Sequence, residues 1–177
     1  MGKRIIRGEL SSKGIQSIID QLQDYKQDLH RKTELLCKRL AEVGLTVAQT
    51  KIGESPLGKT ISLRIDMEPS KAGCKAMLIA SGQTKSNDYG TVDTLLLVEF
   101  GSGIHFNPVE NPKAGEFGMG VGTFPGQFHA FDSGGWYYWG EDEKWHHTYG
   151  TKATMPMYNA SVAIREQVVT IAKETFI

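Results

Sequence analysis

Apolar residues recur three or four positions apart from the first part of the chain onward: Ile15, Ile18, Ile19, Leu22, Tyr25, Leu29, Leu36, Leu40 and Val43. That spacing follows the 3.6-residue turn of an α-helix and predicts one long amphipathic helix with a single apolar stripe. Ser11 or Ser12 supplies the N-cap, because a short hydroxyl side chain accepts a hydrogen bond from an otherwise unpaired N–H of the first turn. Gly44 stands where a left-handed C-terminal cap belongs. Asp28 with Lys32, and Glu34 with Lys38, are opposite charges four apart on the polar side. A helix this long exceeds what a small sheet can cover, so the end of the stripe at Leu29, Leu36 and Leu40 is a candidate interface with another subunit.

The period then changes. Residues 50–59, with Gly53, Pro56 and Gly58, read as a loop. Ile61, Leu63, Ile65 and Met67 alternate with Ser62, Arg64, Asp66 and Glu68, the pattern of a strand with one dry face. Pro69 to Gly73 is turn chemistry, so Cys74 to Ala80 should return as the antiparallel partner. Residues 81–90 read as a polar, mobile connection. Thr94 to Phe100 fits two elements: Leu95 to Val98 suits a buried strand, whereas Asp93 and Gly101 flank the run as the N-cap and C-terminal cap of a short helix.

Residues 101–150 differ in texture. They hold 11 of the 20 glycines, 11 of the 16 aromatics and 4 of the 5 histidines. So much apolar surface is not left wet in one structureless loop. Trp136 to Trp139, a turn at Gly140 to Lys144, and Trp145 to Tyr149 read as an aromatic β-hairpin. A lone two-stranded hairpin is marginal in water, so this one should join the sheet or dock on a neighbour. After Pro156, placed where a helix tolerates proline, Met157, Ala160, Ile164, Val168, Ile171 and Ala172 form the stripe of a final helix. The predicted fold is α+β in a single domain spanning 1–177. In it a long N-terminal helix and a C-terminal helix pack on one face of a small antiparallel sheet, and a glycine- and aromatic-rich insertion at 101–150 carries the hairpin.

Length supports that picture, since 177 residues suffice for one ordinary core without staples. Cys37 and Cys74 lack metal-ligand spacing and read as reduced thiols. Lys3, Arg4 and Arg7 precede no continuous apolar run, which points to a soluble protein made in a cytoplasm, with no membrane partner. Basic and acidic side chains balance at 20 each, which argues against a dedicated nucleic-acid binder. The balance hides a polarity: residues 1–90 hold 15 basic and 10 acidic side chains, residues 91–177 hold 5 and 10. Such a split suits subunits that stack on oppositely charged neighbours.

No coherent catalytic set emerges, and no cofactor is implied. The histidines from His105 to His147 could serve a metal-dependent hydrolase, but a helical zinc motif needs two histidines four apart, and His146 and His147 are adjacent. Gly118 to Gly122 has the glycines of a phosphate loop, yet turn residues Thr123 to Gly126 follow instead of a helix. Glu141, Asp142 and Glu143 read as a solvated turn, not as a pair of carboxylates flanking a cleft. The exposed aromatics could also serve a carbohydrate-binding module. For single-stranded nucleic acid they lack interleaved cations, since only Lys113 and Lys144 occur in the insertion.

Two passages carry a resemblance. Val98-Glu99-Phe100-Gly101-Ser102-Gly103 resembles the V-E-F-G-T-G signature of phage tail-completion proteins, also called neck or head-tail joining proteins, with Ser102 in place of threonine. Lys152-Ala153-Thr154-Met155-Pro156-Met157-Tyr158-Asn159-Ala160 resembles the proline segment that leads into that family's last helix, with Lys152 for its first proline and Met157 for its phenylalanine. The Trp-Tyr-Tyr-Trp hairpin is similar to one found in relatives from prophages of Gram-positive hosts. The resemblance implies a non-enzymatic virion protein: a ring subunit, sixfold, at the neck or tail-completion position, beside connector or tail-tube proteins, with DNA only as passing cargo. In such a ring Glu99 could pair with a basic residue of the next protomer or within its own chain. Glu99, Phe100, Gly101, Trp136, Tyr137, Tyr138, Trp139 and Trp145 are then interface candidates, with the long helix as the second face that a head-to-tail ring needs.

Overall fold

The computed structural model describes residues 6–70, 73–87, 90–122, 127–140 and 142–177. Its fold is α+β, with three helices and three separate two-stranded antiparallel ladders among those residues. The first helix, α1 (Ser12–Gly53), is 42 residues long, roughly 63 Å at the standard rise. Ser11 caps it: its Oγ accepts from the Gly14 N–H at 3.1 Å. Strands β1 (Ser62–Ser70) and β2 (Gly73–Ser81) pair in the register Ser62 to Ser81 through Ser70 to Gly73. That is the hairpin the alternation predicts, although Lys71 and Ala72 of its turn lie outside the described residues.

Gly44 is not a cap. The helix continues through it to Gly53, and the position is instead one where three elements meet. A Cβ there would lie 2.6 Å from Ile164 Cδ1 of the last helix, α3 (Pro156–Phe176), and 3.2 Å from Leu78 Cδ2 of β2. The apolar stripe runs on through Ala48 and Ile52, both buried, and that burial outweighs the roughly 1 kcal/mol a mid-helix glycine costs. The loop expected over 50–59 therefore begins late, at Glu54, where Ser55 and Pro56 stop the helix. Of the two surface pairs, Asp28 and Lys32 meet at 3.7 Å, while Lys38 turns to Glu42 at 3.8 Å instead of to Glu34.

The core follows from these contacts. α1 and α3 run antiparallel through small residues, Ala41, Ala48 and Ala160, with Ile52 and Ile171 beside them. Small side chains let two helices approach, and the β1–β2 ribbon covers α1 alongside, where Cys37 Sγ donates to the Cys74 carbonyl at 3.3 Å. Both thiols are free. Burial raises the Cys74 thiol above its ordinary pKa, and Cys37 beside it adds to the shift.

The connection read as mobile, 81–90, is instead part of a ladder. Strand β3 (Thr84–Asn87) pairs with β4 (Gly90–Asp93), Thr84 opposite Asp93. Backbone pairing needs no apolar side chains, which is why composition gave no sign of it; Asp88 and Tyr89 lie outside the described residues. The ambiguous run is a helix, α2 (Thr94–Phe100). Asp93 Oδ1 accepts from the Leu95 N–H at 2.7 Å, and Gly101 closes the other end with φ 78°, its N–H donating to the Leu97 carbonyl. A satisfied cap at each end outweighs the strand propensity of four consecutive aliphatic residues.

Candidate functional site

α2 and the start of α3 meet at one polar junction, and the two passages singled out by resemblance build it. Met155, the N-cap residue of α3, has φ 53° and offers no side-chain cap. Glu99 supplies one from α2. Its Oε2 accepts from the Met157 N–H at 2.8 Å and its Oε1 from the Tyr158 N–H at 3.0 Å. A carboxylate suits this place because the first-turn N–H groups are unpaired and the helix dipole is positive there. Glu99 is 8% exposed, and Asn111 Nδ2 donates both to its Oε1 and to its backbone carbonyl at 3.3 Å. Val98, fully buried, receives the Thr154 N–H on its carbonyl at 2.9 Å. The ring of Phe100 packs against that of Phe117, with centroids 5.6 Å apart.

The chain then leaves α2 along a short bridge. Ser102 N donates to the Thr151 carbonyl at 2.8 Å, and Thr151 N to the Ser102 carbonyl at 2.9 Å. Asn107 ties the bridge from the side. Its Nδ2 lies 2.8 Å from the Thr151 carbonyl and 3.0 Å from that of Gly103, while its Oδ1 accepts from Ala153 N at 2.8 Å. Sequence reading missed Asn107 and Asn111, both buried amides. The signal was available in Asn107-Pro108 and Asn111-Pro112, two Asn-Pro turns four residues apart. Gly150 is required here, since its φ is 94° and a Cβ would fall 1.8 Å from the Ser102 carbonyl oxygen.

From this junction the insertion carries the predicted hairpin, β5 (Trp136–Trp139) against β6 (Trp145–Thr148), with Trp136 opposite Thr148 and Trp139 opposite Trp145. It pairs with no other strand among the described residues. Trp136 anchors it: the indole lies where a Cβ on Gly103 or on Gly150 would come within about 3.0 Å. Beyond that anchor the rings face outward. Tyr137, Tyr138, Trp139 and Trp145 are all exposed, as are Phe128 and Phe131. Trp139 and Trp145 meet edge to face at 5.4 Å, and Tyr138 stacks on His146.

The histidines are dispersed. His105 stacks on Tyr149, His129 meets Asp132 at 3.1 Å, His147 Nε2 lies 2.9 Å from the Gly134 carbonyl oxygen, and His146 Nε2 lies 2.7 Å from Asp142. No group of three or more possible metal ligands is assembled among the described residues. Asp142 is held below the ordinary carboxylate pKa by its hydrogen bond from His146. It sits in an exposed turn, as the acidic run predicts, and Glu141 lies outside the described residues. The Gly118 to Gly122 run follows a 3₁₀ turn (Ala114–Phe117) and passes close to Gly103, whose N–H donates to the Gly122 carbonyl. The turn expected at 123–126 is also outside the described residues.

The remaining candidates lie on α1. Leu36 and Leu40 are half-buried against the body, whereas Leu29 is exposed. The exposed stripe extends from Leu29 toward the N-terminus through Leu22, Ile19 and Ile15. No helix among the described residues is long and apolar enough to cross a membrane. No protein-family model, curated protein or solved structure matches the chain.

Proposed function

We propose that this chain is a structural subunit of a phage or phage-tail-like particle. In this reading it is made in the bacterial cytoplasm and assembles as a ring, of six copies, at the neck or tail-completion position of the virion. There it joins the tail to the head-proximal connector, and DNA passes through the ring as cargo. The observation that carries the reading is the contact between the two motifs. Glu99 of the first caps the helix that the second begins, and Ser102 bridges to Thr151, the residue just ahead of the second. Two passages far apart in the chain thus have a common architectural task, and the Glu99 carboxylate is engaged in holding the chain together instead of facing a substrate. Exposed apolar surfaces on α1 and on the hairpin suit a protein whose working form is an assembly.

Sedimentation and negative-stain microscopy of the purified protein, together with particles produced without it, test the proposal. Rings from the pure protein and unjoined heads and tails in its absence are expected. A protein that stays monomeric at every concentration, with particles that join normally without it, would sink it.

A further inference from the structure

Cys37 and Cys74 are 37 positions apart in the chain and meet in the fold. Cys37 lies on the side of α1 that the β1–β2 ribbon covers, and its Sγ donates to the main-chain carbonyl of Cys74 at 3.3 Å. Cys74 stands opposite Pro69, one pair in from the turn end of the ribbon. The two thiols are within hydrogen-bond reach of each other. Both are free and half-buried, which leaves them open to a small reagent. Their surroundings do not suit a single reactive cysteine. Burial, the Cys37 thiol and the Glu34 carboxylate all raise the Cys74 pKa, the opposite of what activates a lone nucleophilic thiol. No third metal ligand joins the pair among the described residues. What the fold supplies is two sulfurs placed to bond with each other.

We propose that Cys37 and Cys74 form a reversible disulfide that fastens the turn end of the β1–β2 ribbon to the middle of α1. The oxidant is a low-molecular-weight disulfide of the glutathione class. One protein thiol loses its proton and attacks that disulfide, which gives a mixed disulfide and releases one small thiolate. The other protein thiol then loses its proton and attacks the protein sulfur, which releases the second. Two electrons pass to the reagent, and the two protons end on the two small thiols. The sulfur atoms must come to about 2 Å, a closure that side-chain rotation supplies because Cys37 Sγ already touches the main chain of Cys74. Under a reducing poise both thiols stay free, as they are in the structure, and an oxidising poise closes the bond. The closed loop runs through the rest of α1 and through β1, so the bond stabilises the fold by restricting the unfolded chain.

Incubating the folded full chain with oxidised glutathione, followed by trypsin digestion and mass spectrometry without reductant, tests the pair. Peptides 33–38 and 72–75 should appear as one linked species, and both thiols should vanish from a free-thiol titration. The oxidised protein should melt about 5–10 °C above the reduced one, and dithiothreitol should reverse both changes. Cys37→Ser, which keeps a donor for the Cys74 carbonyl, should melt like the reduced wild type and show no such rise on oxidation. Two glutathione adducts per chain in place of the link, or thiols left untouched by excess reagent, would overturn the proposal. So would a linked protein that melts no higher than the reduced one, because the bond would then strain the contact it is proposed to fasten. None of these readouts depends on ring assembly, so the disulfide and the function proposed above can fail separately.

Discussion

Glu99 satisfies three donors with one carboxylate: two N–H groups at the start of α3 and the amide of Asn111. Glu99→Ala should therefore cost about 2–3 kcal/mol, because buried N–H groups lose a charge-assisted partner. Glu99→Gln, which keeps an acceptor, should cost about 1 kcal/mol. Urea unfolding monitors both, as a shift in midpoint at constant slope. At the hairpin tip the argument concerns pH. The folded pKa of Asp142 is lowered by His146, so the contact contributes above the unfolded carboxyl value and is lost as pH falls through the folded one. Carboxyl resonances should place the Asp142 midpoint below 3.8, and His146→Ala should raise it. Because the side chain is exposed, the effect on global stability should be small. Sequence could offer Glu99 as a functional residue but not its task, since its partners lie 58 and 59 positions away.

Among the elements, the α1–α3 contact is the most exacting. Gly44 has room for no branch of its own, with Ile164 and Leu78 on either side. Gly44→Leu should push the helices apart and destabilise by about 1–3 kcal/mol, the range for overpacked cores. Gly53, where a Cβ would meet nothing within 4 Å, should accept Ala with a change under about 1 kcal/mol. Melting temperatures of the two variants check the contrast. The same comparison explains why Gly44 misled: a glycine at the end of one apolar stretch reads as a cap, and only the facing helix makes it a packing position. The hairpin β5–β6 was plain in sequence because its aromatics and its acidic turn are local signals. The β3–β4 ladder was not, because its backbone pairing joins mostly polar residues with no apolar alternation to mark a strand.

For the whole molecule the governing feature is the separation of charge along the chain, with a basic first half and an acidic second. If copies associate through oppositely charged surfaces, assembly should weaken as salt rises from about 0.05 to 0.5 M, over which the screening length falls from well above 10 Å to only a few ångströms. Sedimentation velocity at several salt concentrations reads this directly. Assembly that strengthened with salt would place the driving force in apolar burial alone. The charge split shows in the sequence, but the exposure of both apolar surfaces does not.

Taken by itself, the sequence determined what short-range physics controls: the two amphipathic helices, the β1–β2 hairpin, the aromatic hairpin and the proline at the start of α3 all follow from periodicity and from caps within a few residues. Only the tertiary structure decided where those elements end and what they face. It made Gly44 a contact, settled Thr94–Phe100 as a helix, gave Glu99 the N-terminus of α3 to cap, and left the first part of α1 exposed while burying the next part. The reason is common to all four. Each depends on partners far away in sequence, and a pattern of apolar positions states that a face will be covered without stating by what.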